Sequence, residues 1–379
     1  MENSQVLDTQ YVMRSQNSQP VWKGISSSQI SWNERLQRWE LFNRFDKILL
    51  ASTKPGTEFP FGENRWRLEA ENICIDQHRD QELTLMFSKC SKLEYSCSDG
   101  SCIPISLKCN YVPECWDGGD EENCTILSLE GMRNYDSFSP NVWFDKQGNI
   151  GRAGIKIGVN ITHIEEINEV KSRFSTSLIL SIKWKEYRAT WKDLNDESSL
   201  NYPSSEEKSL LWFPKVIFDN SEDHLEVPND SNAQFVIEKK GNATMSDQFE
   251  LRETAYFTGR RNPILFSREL HLKLKCDFKL NYFPFDTQVC LIVMVPGYKE
   301  KNFIKFRGES VHFTGEKELL TFDVVHTEFK TTDNKIEVRI HLKRQIAQYV
   351  LGIYVPSLFI MVAAQVGATS DNEIVQCKI

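Results

Sequence analysis

The stretch Cys276-Asp-Phe-Lys-Leu-Asn-Tyr-Phe-Pro-Phe-Asp-Thr-Gln-Val-Cys290 decides how this chain is read. A disulfide across its thirteen enclosed residues closes a short ring and stabilises it by roughly 3 kcal/mol on the chain-entropy argument. Phe283, Pro284, Phe285 and Asp286 stand at its centre, so the ring becomes a stiff knob presenting one acid. Upstream, Leu270, Leu272, Leu274, Cys276, Phe278 and Leu280 alternate with His271, Lys273, Lys275, Asp277 and Lys279. That is one buried and one wet face of an antiparallel strand. Ile336, Val338, Ile340 and Leu342 repeat the design against Glu337, Arg339, His341 and Lys343. So do Ile155, Ile157, Val159 and Ile161, which puts Asn160 on a wet face. Many such strands over 130–343, separated by Gly, Pro and Asn turns and with no helical stretch of length, predict a mainly β chain built on a β-sandwich.

After the last of these strands, Ile346 to Val366 is uncharged for 21 residues. At 1.5 Å per residue that just crosses a hydrocarbon core of about 30 Å. Pro356 would break a soluble helix, but in lipid neighbouring helices can satisfy the freed carbonyl. A polar tail, 367–379, follows, and no second apolar segment does.

The remaining features bound the class. At 379 residues the chain is long enough for two or three domains, and its net charge of −8 argues against nucleic acid as a partner. Of ten cysteines, seven fall between Cys74 and Cys124, a clustering that implies an oxidising compartment. Asn-x-Ser/Thr triplets at Asn123, Asn160, Asn229 and Asn242 fit an extracellular surface, that at Asn123 least well. Met1 to Gly24 stays polar, so no signal peptide is visible and the true start is expected to lie upstream. Residues 1–88 read as short strands with tight turns, a truncated sandwich of the laminin-G or pentraxin kind, with Cys74 lacking an obvious partner. From Cys90 to Cys124 six cysteines and the acidic run Asp117-Gly-Gly-Asp-Glu-Glu-Asn-Cys124 fill a segment too small to hold a core without staples. No nucleophile-base pair, His-rich metal spacing or phosphate loop is visible, so an enzyme is disfavoured.

The knob, with its thirteen-residue spacing and Phe-Pro-Phe-Asp, resembles the signature of the Cys-loop family, the pentameric neurotransmitter-gated ion channels. The alternative is a structural hairpin disulfide in a secreted domain. Tyr349-Val350-Leu351 and Tyr354-Val355-Pro356-Ser357-Leu358 resemble the family's first transmembrane helix. The resemblance covers about 130–362 and implies an immunoglobulin-like ligand-binding sandwich followed by that helix. Arg344, Asp286 and Glu169 match its coupling centre, where one guanidinium can hold two carboxylates; the alternative is three unrelated surface charges. Trp184-Lys-Glu-Tyr-Arg188 and Leu211-Trp-Phe-Pro214 resemble structural family motifs, although Lys215 replaces the usual Asp. Tryptophans there read as core.

Amine-binding members use an aromatic cage, yet Asp219, Ile179 and Gly297 fall at cage positions here. A one-residue shift restores Phe218 and Tyr298 as candidate ligand contacts. His326, in the segment 313–335 where a capping loop should lie, is a third candidate and a possible proton sensor. The cysteine-rich segment resembles an LDL-receptor class A module, which implies pairing Cys90–Cys102, Cys97–Cys115 and Cys109–Cys124. It also implies Ca²⁺ on Asn110, Glu114, Asp120 and Glu121. Asn110 and Glu114 stand where Asp is usual, so weaker binding is expected; a disulfide knot without an ion is the alternative.

The first reading is therefore an extracellular ligand-gated channel subunit at the plasma membrane, cut off before its pore helix. It would assemble as a homo- or hetero-pentamer and take a small-molecule agonist between subunits. The second is a non-conducting pentameric binding or adhesion protein, membrane-anchored or secreted.

Overall fold

A computed structural model of the chain describes residues 8–376 apart from 17–18, 55, 57, 70–81, 129–134, 141–142, 145–149, 231, 246–252 and 333–334. Cys74 and Cys377 lie outside the described residues. The chain divides into two compact units. The first comprises Met1–Leu129, Thr190–Asn201 and Lys239–Thr258, and the second Glu130–Ala189, Tyr202–Glu238 and Gly259–Ile379.

In the first unit, β1 (Tyr11–Gln16), β2 (Gln19–Gly24), β3 (Ser28–Asn33), β4 (Arg38–Asn43), β5 (Leu49–Thr53), β6 (Gly62–Leu68) and β7 (Glu82–Phe87) form one antiparallel sheet in consecutive order. Alternation selects the buried face: Ile30, Trp39, Leu41, Leu50, Trp66 and Leu68 make the core, with Trp22, Phe59 and Phe87 packed on it. At the β3–β4 turn, the Asn33 side chain accepts from the N–H groups of Arg35 and Leu36. Such Asx turns are why Asn recurs at hairpins.

The cysteine-rich segment follows, with β8 (Glu94–Ser96) and β9 (Cys102–Pro104) as its one short hairpin. Disulfides 90–102, 97–115 and 109–124 do the work of a core. Gly62 N and Gly100 approach so closely that a Cβ on Gly100 would sit 2.6 Å from that nitrogen, and both glycines have positive φ. Only glycine permits this approach.

The second unit carries two sheets. β12 (Ala153–Asn168), β13 (Arg173–Trp184), β16 (Gln234–Ile237), β19 (Ile264–Lys275) and β21 (Ile304–Phe313) make the order β16-β19-β13-β12-β21. The other, β15-β20-β23-β22, uses β15 (Val216–Phe218), β20 (Thr287–Pro296), β22 (Phe322–Thr332) and β23 (Lys335–Arg344). β10 (Trp143–Phe144) and β11 (Ile150–Gly151) form a separate ribbon. The pairs are antiparallel except β12 with β21. The inward stripe expected at 336–342 is buried at Ile336, Val338, Ile340 and Leu342, and that at 155–161 is buried too. The alternation read through Leu280 stops early: β19 ends at Lys275, and Leu280 is exposed in the disulfide loop. The chain leaves the sheet there and enters the ring closed by Cys276 and Cys290.

The sequence treats 130–343 as one block, yet Thr190–Asn201 and Lys239–Thr258 group with the first unit. These hold a small sheet of β14 (Thr190–Lys192), β17 (Thr244–Met245) and β18 (Ala255–Thr258). Backbone bonds Ser128 N to Thr190 O and Lys192 N to Ile126 O attach it to the chain leaving the cysteine-rich module. Lys108 pairs with Asp193 at 3.1 Å and donates to the Glu253 carbonyl, while Ser96 donates to the Glu253 carboxylate.

Helix α1 (Ser205–Leu210) starts with a capping box in which Ser204 and Glu207 satisfy each other's backbone N–H groups. The apolar segment is helical throughout, as α2 (Ile346–Tyr349), a π-turn (Val350–Tyr354) and α3 (Val355–Gln376). The wider turn precedes Pro356, which has no N–H to give and would crowd the carbonyl four residues earlier. The expected polar tail is helical to Gln376; polarity without a Pro or turn signal does not end a helix.

Candidate functional site

The site is built where β23 runs out into α2. Glu169 sits in the turn between β12 and β13, Asp286 at the end of the disulfide loop, and Arg344 as the last residue of β23. The ring is closed by an S–S bond of 2.02 Å. Gln288 braces it from inside, accepting from Lys279 N–H and donating to the Lys279 carbonyl. Pro284 and Asp286 turn inward, leaving Tyr282 and Phe285 exposed at the tip.

Arg344 is 2 % exposed and Asp286 4 %, so neither can rely on water for its charge. The guanidinium donates from Nε to Asp286 Oδ1 at 2.6 Å and from Nη2 to Oδ2 at 3.0 Å. It donates to both Glu169 oxygens at 2.7 and 2.8 Å, and from Nη1 to the Tyr349 hydroxyl at 3.0 Å. These five contacts use the full donor set of an arginine. The rings of Phe322, Phe283 and Tyr349 surround it, with its central carbon 4.5, 4.9 and 5.4 Å from their centroids. Burial by itself would raise the Asp286 carboxyl, but hydrogen bonds from Arg344 and Gln288 outweigh it and hold the group below the usual carboxylate range. For Arg344, burial works against the charge and the bonds to Glu169 and Asp286 outweigh it, leaving the guanidinium firmly protonated. Lysine could not do this, since an ammonium lacks a planar fork for two carboxylates.

A second acidic site lies in the cysteine-rich module. Carboxylate oxygens of Glu114, Asp120 and Glu121 lie within 4.8 Å of one another. Asp120, wholly buried, accepts from Glu114 N–H and Cys115 N–H, and Glu121 accepts from Asn110 N–H and Tyr111 N–H. Asn110 joins by donating to Glu114 at 3.1 Å. No Arg or Lys is bonded to the three among their described contacts, so the oxygens fit a hard divalent cation of the Ca²⁺ kind.

The family profile described as the neurotransmitter-gated ion-channel ligand binding domain matches residues 127–346, more than half of the chain. The chain belongs to that family. The profile of the low-density lipoprotein receptor domain class A matches residues 88–124. A glutamate-gated chloride channel of Drosophila melanogaster is 23% identical over 246 residues, 61% of this chain and 48% of that protein. Human glycine receptor subunit beta is 25% identical over 222 residues, 55% and 40% of the two chains. Bovine acetylcholine receptor subunit epsilon is 26% identical over 141 residues, 37% and 23%. The chain thus spans less than half the length of these relatives.

Within this receptor-domain frame the expected ligand contacts separate. Phe218 is fully buried in β15, a core residue with no face for a ligand. Tyr298 is 93 % exposed in the turn after β20. His326 is not in a loop: the expected capping segment is largely strand, because β22 pairs with β23 almost to their junction. No described contact joins these three. Trp184 and Trp212 are core, the latter donating its indole N–H to buried Glu300. Buried Glu186 pairs with Arg188 at 2.9 Å. Of the triplets, Asn229 and Asn242 are exposed, while Asn160 is half-buried and accepts from Thr314.

The sequence places Tyr349 in the first-helix motif and Phe322 in the capping segment, but neither in the coupling centre that they join through Arg344. A tyrosine at the first turn of an apolar helix, five residues after a charged strand end, is a signal for the first. Nothing local marks the second.

Proposed function

We propose that the chain is the extracellular ligand-binding part of a neurotransmitter-gated channel subunit, carried at the plasma membrane on its first span. Arg344 ties sandwich to helix. The supporting observation is the five-donor clamp: one buried guanidinium grips the β12–β13 turn, the disulfide knob and the first turn of α2 together. Breaking one partner of such a set strands a buried charge, so movement of either loop on ligand binding is felt at the start of the span. The 21-residue segment Ile346–Val366 is the one helix among the described residues long and apolar enough to cross a bilayer.

Ligand would sit between neighbouring sandwiches of a homo- or hetero-pentamer. The non-cage residues Asp219, Ile179 and Gly297 speak against a quaternary amine. The relatives gated by glutamate or named for glycine cover 61% and 55% of the chain against 37% for the acetylcholine receptor subunit, which favours a small amino acid. Asn110, Glu114, Asp120 and Glu121 would hold Ca²⁺, which would neutralise the clustered carboxylates of the module; exposed Asn229 and Asn242 are the favoured glycan sites.

The test has two arms. Light scattering on the full chain in detergent is expected to give five times the 44.0 kDa chain mass; a monomer at micromolar concentration ends the assembly claim. Residues 1–345 fused to the membrane domain of a channel-forming relative are expected to yield amino-acid-gated current that Arg344→Gln removes. Surface-expressed pentamers that stay silent to every small amino acid would favour the non-conducting binding protein.

A further inference from the structure

We propose that the cysteine-rich module is a calcium-controlled clasp on the receptor domain of its own chain. Lys108 holds the small sheet β14-β18-β17 only while the acidic loop of the module is closed around Ca²⁺. The proposal rests on the reading of Asn110, Glu114, Asp120 and Glu121 as a Ca²⁺ site. The strands of the small sheet come from within residues 127–346, the span that the receptor-domain profile matches, yet they group with the module in the first compact unit.

The hold is built on one ammonium. Lys108 Nζ lies 3.1 Å from Asp193 Oδ2, donates to the Glu253 carbonyl at 3.0 Å and stands 5.2 Å from the centroid of the Tyr95 ring. The side chains of Lys108 and Asp193 are only 15% and 8% exposed, so water and salt screen this pair little. Asp193 passes the grip on. Its other carboxylate oxygen accepts from Ala255 N–H, and its own N–H donates to the Ala255 carbonyl. The end of β14 and the start of β18 are thus tied to one side chain of the module. Ser96, buried at the end of β8, adds a bond to the Glu253 carboxylate.

On its other side Lys108 adjoins the acidic loop. Cys109 N–H donates to the Asp120 carbonyl at 3.1 Å, and the N–H groups of Asn110 and Tyr111 donate to Glu121. Cys109 and Tyr111 both sit at positive φ, 60° and 68°. Residues other than glycine hold that conformation only where surrounding bonds impose it. Tyr95 makes a second link, donating its hydroxyl to the carbonyl of Gly119, the neighbour of Asp120.

Glu114, Asp120 and Glu121 repel one another unless a cation stands between them. Losing that cation frees the turn 109–111, and the ammonium just before it withdraws from Asp193. Such coupling is reciprocal, so whatever Ca²⁺ adds to docking, docking adds to Ca²⁺ affinity. The clasp ends within the first unit, and the transition of the two large sheets is expected not to follow it.

The experiment uses the full chain in detergent. Calorimetric Ca²⁺ titration of the wild type is expected to show one saturable site. Asp193→Asn keeps an oxygen for Ala255 N–H and removes only the charge, yet should weaken Ca²⁺ at least about fivefold. Lys108→Met should do the same, and Lys108→Met/Asp193→Asn no more than either alone. EGTA should raise hydrogen exchange in residues 190–193 and 255–258 of the wild type, whereas in Lys108→Met exchange there should be high with or without Ca²⁺. Mass mapping of the three module disulfides identifies folded variants. Full Ca²⁺ affinity in folded Asp193→Asn and Lys108→Met, or exchange that ignores Ca²⁺ in a wild-type chain that binds it, overturns the clasp and leaves the Ca²⁺ site standing. Absence of Ca²⁺ binding by the wild type removes both.

Discussion

The acidic end of the LDL-receptor class A module and the base of the sandwich are made from similar parts: a disulfide-bound loop and converging carboxylates. They differ in whether the chain itself supplies a positive charge among the described residues. At the base, Arg344 reaches across 58 and 175 residues of sequence to Asp286 and Glu169, so the chain supplies its own cation. In the module, Glu114, Asp120 and Glu121 converge with uncharged described partners, backbone N–H groups for Asp120 and Glu121 and the Asn110 side-chain amide for Glu114. An internal cation makes a permanent tie that resists chelators. An external one makes a tie set by ion concentration.

The largest effect should come from removing the internal cation. Arg344→Met leaves two acids facing each other in a buried site, and a loss of about 3–5 kcal/mol is expected in chemical denaturation of the full chain. Adding Asp286→Leu should restore part of it; no recovery would mean that packing, not charge, sets the cost. Cys276→Ser/Cys290→Ser should cost about 3 kcal/mol, and hydrogen exchange should rise in residues 277–289 while the module stays protected.

Chelation sharpens the contrast from the other side. If Ca²⁺ stands at a hundredfold its dissociation constant, EGTA should lower the stability of the module by about 2.7 kcal/mol and leave the sandwich transition unmoved. Asp120→Asn should erase that difference. An EGTA-insensitive module would be a disulfide knot without an ion.

Acid probes Asp286 directly. Its folded carboxyl titrates below the usual range, so its contribution is complete above the unfolded value near 3.9 and is lost as pH falls through the lower folded value. Asp286→Asn should flatten this acid limb of the stability curve. The smallest change is Tyr349→Phe, which removes one of five donor contacts and should cost about 0.5–1.5 kcal/mol.

Much of the frame is legible in the linear chain. Period-2 stripes at 155–161 and 336–342 mark strands because a sheet has two faces, and the apolar run at 346–366 marks a helix because a bilayer has a thickness. Glu169, Asp286 and Arg344 are legible through motif likeness; their spacing says nothing of mutual reach. The outward turn of His326 is not legible, since it follows a register shift between Val324 and His326 that depends on how β22 fits β23, and strict alternation predicts the inner face. Phe218 fails for a related reason: an aromatic near a cage position looks the same whether its strand presents it to ligand or to core.

The sequence alone determined most of the strands, the knob, the staple-held module and the long apolar helix, because these follow from local periodicity, cysteine spacing and run length. Only the tertiary structure decided which charges meet a charged partner and which carboxylates converge without one among the described residues. Pairing falls off within a few ångströms, and residues far apart in the chain meet at that distance only once two sheets and a helix have packed.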